Sequence, residues 1–304
     1  MLRYILSRFA QAVLVMFGVS LLIFYSLHLT GDPAAVMMPP GSSQQEIDNF
    51  RHAMGFDRPL LWQYGHYLHG LLHGDLGLSL RYEQPVTELI AQRVPATLLL
   101  AVSALAWSTV VGLLLGLVSA VWRNSIWDLL SRIFAFSGQA VPVFWLGLLM
   151  IIWFSLHLRW LPSSGYGTFS HLIMPAISLG AYYMSAIARL VRASLIDVLA
   201  QDYIRTAQAK GLSSWRILIR HGLRNALIPV VTVQGMYFAS LLGGALVTEI
   251  IFAWPGIGRL AVQAIQNRDF PLVQAIVLLA ALVFVVVNLI IDLLYVVLNP
   301  RIRL

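Results

Sequence analysis

Residues 96–122 read ATLLLAVSALAWSTVVGLLLGLVSAVW, 27 positions without one Asp, Glu, Lys or Arg. About 20 apolar residues in a helix are enough to cross the roughly 30 Å hydrocarbon core of a bilayer. The stretch therefore predicts a transmembrane helix, because a helix satisfies its own backbone donors where no water is present. Five further windows free of charged side chains meet or approach that length: 9–31, 133–158, 172–188, 226–248 and 270–291. The window 172–188 is the shortest, but Arg189 and Arg192 can snorkel and let it extend. The first exceeds the ~7–15 apolar residues of a signal peptide and reads as a retained anchor.

The rest of the composition agrees. Of 304 residues 59% are hydrophobic and 11% charged, whereas soluble domains carry about 25% charged residues. The apolar residues come in long blocks, as expected of a chain solvated by lipid. Cysteine is absent, which removes disulfides, thiolate metal sites and thiol catalysis. The net charge of +7 does not point to nucleic acid, because the basic residues sit between the apolar blocks and form no single patch. The reading is an all-α membrane protein of six transmembrane helices, both termini on one side. With the termini in the cytoplasm, 13 Arg and Lys residues fall inside and seven outside, the asymmetry expected of cytoplasmic loops. Trp122, Trp160 and Trp254 fall at span ends, where an amphipathic ring favours the interface.

Lys210 is the one Lys in the chain, and it follows Ala209 and precedes Gly211. A Walker A loop needs Gly before its Lys and Ser or Thr after it. Any ATP on which the protein depends must be hydrolysed by another chain.

Two loops are long. The outer one, about 32–95, contains Leu60, Leu61, Tyr64, Leu68, Leu71 and Leu72 at helical spacing, which predicts an amphipathic helix near the membrane surface. On it, His66, His69 and His73 could share one side, a speculative metal entrance; a polar face touching headgroups explains them more simply. The inner loop, about 197–225, reads as helix, a break at Gly211, then a second short helix. There Trp215, Leu218 and Ile219 form an apolar face opposite Arg216, Arg220 and Arg224.

Within the spans, Gly112 and Gly116 permit close helix approach. Pro142, Pro175 and Pro229 each remove a backbone donor, a feature that often borders a transport cavity. Gln139, Tyr182, Tyr183, Gln234, Tyr237 and Glu249 are candidate pathway-lining residues; hydrogen bonds between helices account for polar span residues equally well. Asp292 is expected to pair with an Arg at the inner boundary. Trp254-Pro255-Gly256 is a turn that could form an outer gate or merely cap helix ends. An ion-driven secondary transporter would typically show internal repeats and mid-membrane ionisable groups, and neither is visible. An intramembrane hydrolase would need a buried Ser–His arrangement. Ser163 and Ser164 lie in an outer loop, with His157 and His171 near them in sequence only.

The inner loop runs Asp202-Tyr203-Ile204-Arg205-Thr206-Ala207-Gln208-Ala209-Lys210-Gly211-Leu212 and on to Pro229. It resembles the cytoplasmic coupling loop of binding-protein-dependent ABC importer permeases, most closely the dipeptide, oligopeptide, glutathione and nickel branch. Other motifs match that branch in order: 30–33 (Thr-Gly-Asp-Pro), 74–79 (Gly-Asp-Leu-Gly-Leu-Ser), 85–86 (Pro-Val), 93–97 (Arg-Val-Pro-Ala-Thr), 252–259 (Phe-Ala-Trp-Pro-Gly-Ile-Gly-Arg) and 299–303 (Asn-Pro-Arg-Ile-Arg). Arg205-Thr206-Ala207 stands where the general pattern opens with Glu-Ala-Ala. The resemblance implies the type I importer fold in a bacterial inner membrane, with an anchor and periplasmic loop over 1–95 and a five-helix core over 96–304. It implies a chain that is not an enzyme and holds no cofactor, with ATP and Mg on two partner ATPase subunits. A similar second permease and a periplasmic or lipid-anchored substrate-binding protein would complete the assembly. Asp202, Tyr203, Arg205, Ala207, Ala209, Lys210, Gly211, Leu212, Trp215, Arg216 and Arg220 would then meet an ATPase subunit. The cargo would be a peptide or a related small solute, such as glutathione, nickel or a metal chelate.

Overall fold

A computed structural model describes residues 2–29, 32–39 and 41–298. The Asn299–Arg303 motif and residues 30 and 31 lie outside the described residues, as does the side chain of Asp292. The described chain is helical, with a single isolated β-bridge between Leu78 and Pro85. Four helices are long and apolar enough to cross a membrane, and six spans result if each of two bent helix pairs counts as one.

The described residues form two compact units. One draws on residues within 2–95, 256–290 and 296–298; the other on 96–255 and 291–295. The first unit begins with α1 (Leu2–Leu29), α2 (Pro33–Met37), α3 (Gln44–Met54) and α4 (Leu60–Leu72). Asp32 caps α2, accepting the Ala34 amide at 3.1 Å, and Arg51 of α3 reaches its other oxygen at 2.5 Å. Ser43 and Glu46 close a capping box on α3, pairing donors that a helix start leaves free. The expected amphipathic helix is α4, but its leucines do not form the buried face. Gln63 is its buried residue, donating to the Phe56 and Arg58 carbonyls and meeting His28 of α1 at 3.1 Å. Tyr64 bonds Ser20 at 3.0 Å and packs on Phe17 and Phe24. Leu61 and Leu72 stay more than four-fifths exposed. Buried hydrogen-bonding partners on α1 thus outweigh the apolar stripe.

Two long helices carry residues in both units: α5 (Val86–Val121) and α15 (Phe270–Leu298). In the first unit, Val86, Leu89 and Ile90 form a core with Leu260 and Ala264 of α14 (Ile257–Gln266) and with Leu272 of α15. The Gly74–Ser79 motif acts here. Gly77 turns with φ +82°, donating to Asp75 at 2.9 Å and accepting from Val86 at 3.0 Å. Ser79 and the amides of Leu80 and Arg81 then converge on the fully buried carboxylate of Asp269.

The second unit is built around α8 (Phe169–Leu199), whose apolar window is 72% buried. On α5, a Cβ added to Gly112 would lie 2.9 Å from Ile187, and one added to Gly116 2.6 Å from Val191. The two glycines therefore set the α5–α8 contact, as the small-residue spacing predicts. Asn124 (φ +64°) ends α5, and Ser125 caps α6 (Ile126–Ala140). The window 133–158 is not one straight helix. Val141 is extended and Pro142 starts α7 (Val143–Met150), which continues as a π-helical turn, Ile151–His157, so that α6 and this second helix meet at 105°. Proline both lacks the amide and pushes the preceding residue out of helical geometry. Pro175, by contrast, lies inside the unbroken α8.

Candidate coupling loop and translocation face

The inner loop is a helical hairpin. Against expectation, α8 does not run on to Gly211: it ends at Leu199, Gln201 is extended, and α9 (Asp202–Ala209) begins with an acidic residue in its first turn. A negative charge there favours the helix start. Lys210 ends α9, and Gly211 takes φ +75° with open space around it. That left-handed geometry is where glycine escapes the penalty of a Cβ. The return arm comprises α10 (Ser214–Arg216), a π-helical stretch Ile217–Leu223 and α11 (Arg224–Ala226).

Ile204, Ala207 and Ile217 close on one another, with Leu212 beside them. The apolar face therefore differs from the one that spacing suggests. Ile217 is buried, whereas Trp215 is 69% exposed and Ile219 also faces outward; the π-helical stretch, tracking Ile217, shifts the face of the residues after it. Tyr203 ties the arms together: it accepts from Asn225 Nδ2 at 2.9 Å and donates to the His221 carbonyl at 3.4 Å. Beyond the closed core, Asp202, Arg205, Ala209, Lys210, Gly211, Trp215, Arg216 and Arg220 lie on the surface. At its base the return arm joins the membrane helices. Leu218 and Ala226 pack with Leu195 of α8 and Ala120 of α5, and a Cβ on Gly222 would lie 3.3 Å from Leu195 and Leu199.

An ion pair with a buried carboxylate sits close to this base and ties in α6. Asp128 of α6, fully buried, accepts from Arg192 Nε and Nη2 at 3.1 and 3.0 Å, from Ser119, and from the Asn124 amide at 3.1 Å; Arg132 lies 3.2 Å away. Sequence reading missed it. Arg192 and Asp128 are far apart in the chain, and charge-free windows are blind to charges that neutralise each other.

The polar span residues divide. Gln234, on α12 (Ile228–Gly244), donates to Thr109 at 2.9 Å, and Tyr183 to Ser240 at 3.0 Å. Both bridge helices. Tyr182 and Gln139 are exposed, and Tyr237 is half-buried and 5.1 Å from the Tyr183 ring. Glu249, on α13 (Leu246–Ile251), is fully buried and accepts from Thr97 at 2.7 Å, so it lines no open surface here. Trp254 is not an interfacial belt residue. It is 1% exposed, donates to the Ala96 carbonyl at 2.8 Å and meets Tyr166 edge-on. Ala253, left-handed at φ +50°, closes α13 where glycine is usual and turns Trp254 inward. Trp122 and Trp160 are exposed, as the belt reading requires. Pro255 is half-buried and Gly256 buried and extended. The outer histidines do not converge. His66 stacks on Trp62, His69 stacks on His73, and no group of three His, Cys, Asp or Glu residues among the described residues could hold a metal.

These features define a class: a helical membrane subunit with a surface hairpin rooted in its most enclosed helix. Residues 112–304 match the family model for the binding-protein-dependent transport system inner membrane component, and residues 1–101 its N-terminal companion; the chain belongs to this family. It is 44% identical over 304 residues to the glutathione transport system permease protein GsiC of Escherichia coli K12, covering 100% of this chain and 99% of that one. The GsiC of Shigella dysenteriae serotype 1 matches equally. Among solved structures, an amino acid ABC transporter with histidines superposes with a TM-score of 0.54 at 16% identity, over 68% of this chain and 93% of that one. The inward-facing MetNI methionine ABC transporter gives 0.54 at 20%, over 67% and 95%. These two show the fold. The chain is the permease subunit of an ABC importer, a multi-pass inner-membrane transport component and not an enzyme, working within a complex of several subunits.

Proposed function

We propose that this permease imports glutathione or a similar small peptide, delivered by an extracytoplasmic binding protein and driven by ATP hydrolysed on two partner subunits. A second, similar permease completes the pathway. The chain crosses the membrane six times with both termini in the cytoplasm. Residues 1–95 supply the anchor and outer loop, and 96–304 the core. Gln139, Tyr182 and Tyr237 face the path, Tyr183 and Gln234 brace it, and Glu249 with the Trp254–Gly256 turn holds its outer end shut. The relative at 44% identity supports the cargo class.

The observation that carries the reading is the hairpin. Its core is closed by Ile204, Ala207 and Ile217 while Lys210, Gly211, Trp215, Arg216 and Arg220 stay exposed. An exposed Trp among arginines suits docking in a groove of an ATPase subunit. The return arm's roots on Leu195 and Ala120 would pass nucleotide-driven closure to α5 and α8, a rigid-body switch. Gly211→Val tests it, since a β-branched residue resists φ +75°. Import by the reconstituted complex is expected to fall at least about tenfold, equivalent to ~1.4 kcal/mol of lost coupling, with all subunits still co-purifying. Unchanged import by that variant refutes the coupling role.

A further inference from the structure

Although α8 is the most enclosed of the long apolar helices, it leaves Tyr182 and Arg189 on the surface. Seven residues apart, they share one face of the helix, with Ala186 between them. Arg189 lies about 15 Å short of the end of α8 at Leu199, counting 1.5 Å per residue. It makes no hydrogen bond or ion pair among the described residues.

Its neighbours are differently placed. Arg192 and Arg132 both spend their charge on Asp128. All three arginines line one cavity of about 760 Å³ between α5, α6 and α8, walled by Leu115, Leu129, Ile133 and Phe136. That volume is in the range of small-molecule sites, where a few polar groups on apolar walls fix a ligand. One carboxylate against three guanidiniums leaves the cavity positive, and Arg189 is the guanidinium not committed to it. A guanidinium left without a carboxylate in an apolar-walled cavity is a ready partner for an anionic solute. Aromatic polar groups continue along the helix outside the cavity: Tyr182 stands 5.4 Å from the Tyr183 ring, and Tyr183 5.1 Å from that of Tyr237. Exposed phenol and amide groups suit a polar solute better than lipid tails.

We infer that Arg189 is a specificity-determining residue of the pathway, pairing with a carboxylate of the passing solute, so that the cargo is an acidic peptide-like anion. A planar guanidinium binds carboxylate through two parallel N–H donors. The inference rests on the proposed reading of this face as the path.

The Cys-free chain allows a direct test. Tyr182→Cys places one thiol on the Arg189 face of the permease in the reconstituted importer. Its modification rates by a sulfonate-bearing and a trimethylammonium-bearing methanethiosulfonate are compared, with and without Arg189→Gln. The ratio of anionic to cationic rate is expected to fall at least about fivefold in Arg189→Gln and to hold in Arg189→Lys. Glutathione import, followed separately, should show a raised KM in Arg189→Gln. An unchanged rate ratio overturns the inference, as does a thiol that neither reagent reaches. So does an acidic phospholipid that co-purifies with the wild type, is lost from Arg189→Gln, and leaves import untouched. If the wild-type complex fails to import glutathione at all, the parent reading of the cargo fails instead, whatever the thiol ratio.

Discussion

Asp128 is the residue on which the joining of α5, α6 and α8 turns. It joins α6 to α8 through Arg192 and to α5 through Ser119. Burying such a pair is weak ground for stability, but breaking it strands a charge, at a typical cost of about 3–5 kcal/mol. Asp128→Ala should therefore lower the thermal midpoint of the purified complex sharply, read from intrinsic Trp fluorescence. Adding Arg192→Met should restore part of the loss, because an apolar side chain carries no unpaired charge into the same volume. Simple additivity of the two losses would show that the residues act independently. The outer loop offers a contrasting case at the same scale. The Arg51 guanidinium beside Asp32 holds that carboxyl below its ordinary range. A carboxylate whose folded value is depressed stabilises fully above the ordinary value, near ~4, and loses this contribution as pH falls through the folded value. Hydrogen exchange in α2 and α3, corrected for intrinsic rates, should accelerate on acidification below about pH 4. In Arg51→Ala the response of α2 should shrink, leaving what the Ala34 amide on Asp32 still supplies.

Elements were legible where their signal is local. The charge-free windows find the apolar helices, Gly112 and Gly116 announce a close contact, and the His-rich helix of the outer loop begins where its leucines begin. The contact can be checked directly: Gly116→Leu would drive its side chain into Val191 and the Ala188 carbonyl, within 2.6–2.7 Å of the new Cβ. Overpacking of this kind typically costs about 1–3 kcal/mol, and the same substitution at Gly18, with nothing within 4 Å, should cost little. A denaturation series on the two variants separates them. What sequence could not give was set by partners distant in the chain. The bend at Pro142 needs α8 to hold α6, through Gly138 resting on the Ala181 carbonyl and Ser185 donating to that of Ala135. The buried face of α4 is chosen by Ser20, Phe24 and His28 of α1. The inward turn of Trp254 follows from a left-handed Ala253, which carries no glycine signal. In the candidate site the same division holds: the hairpin and its Gly211 break were readable, while the exposure of Trp215 and the uncommitted state of Arg189 were not.

At the scale of the molecule, the helices differ in how much of themselves they enclose. The apolar windows of α1 and α15 are only 11% and 17% buried, as expected of long helices bathed in lipid. Helix α6 is different. It meets α7 at 105°, so both cannot lie along the membrane normal, yet it exposes Trp127, Ile133, Phe134 and Phe136. Aromatic side chains in a cluster of this kind are typical anchors of a subunit interface, and the proposed second permease is the partner that would cover them. Phe134→Ser with Phe136→Ser should leave membrane insertion intact, because α6 still packs on α8 through its opposite face, where Asp128, Ser131 and Ala135 are buried. Recovery of the second permease with the tagged double variant should drop more than about tenfold, as truncating two anchors worth ~2 kcal/mol each predicts. Leu14→Ser with Leu22→Ser on α1, positions more exposed still, should leave that recovery unchanged. Equal recovery from both double variants would place α6 against lipid, and the second permease would then have to meet this chain through another helix.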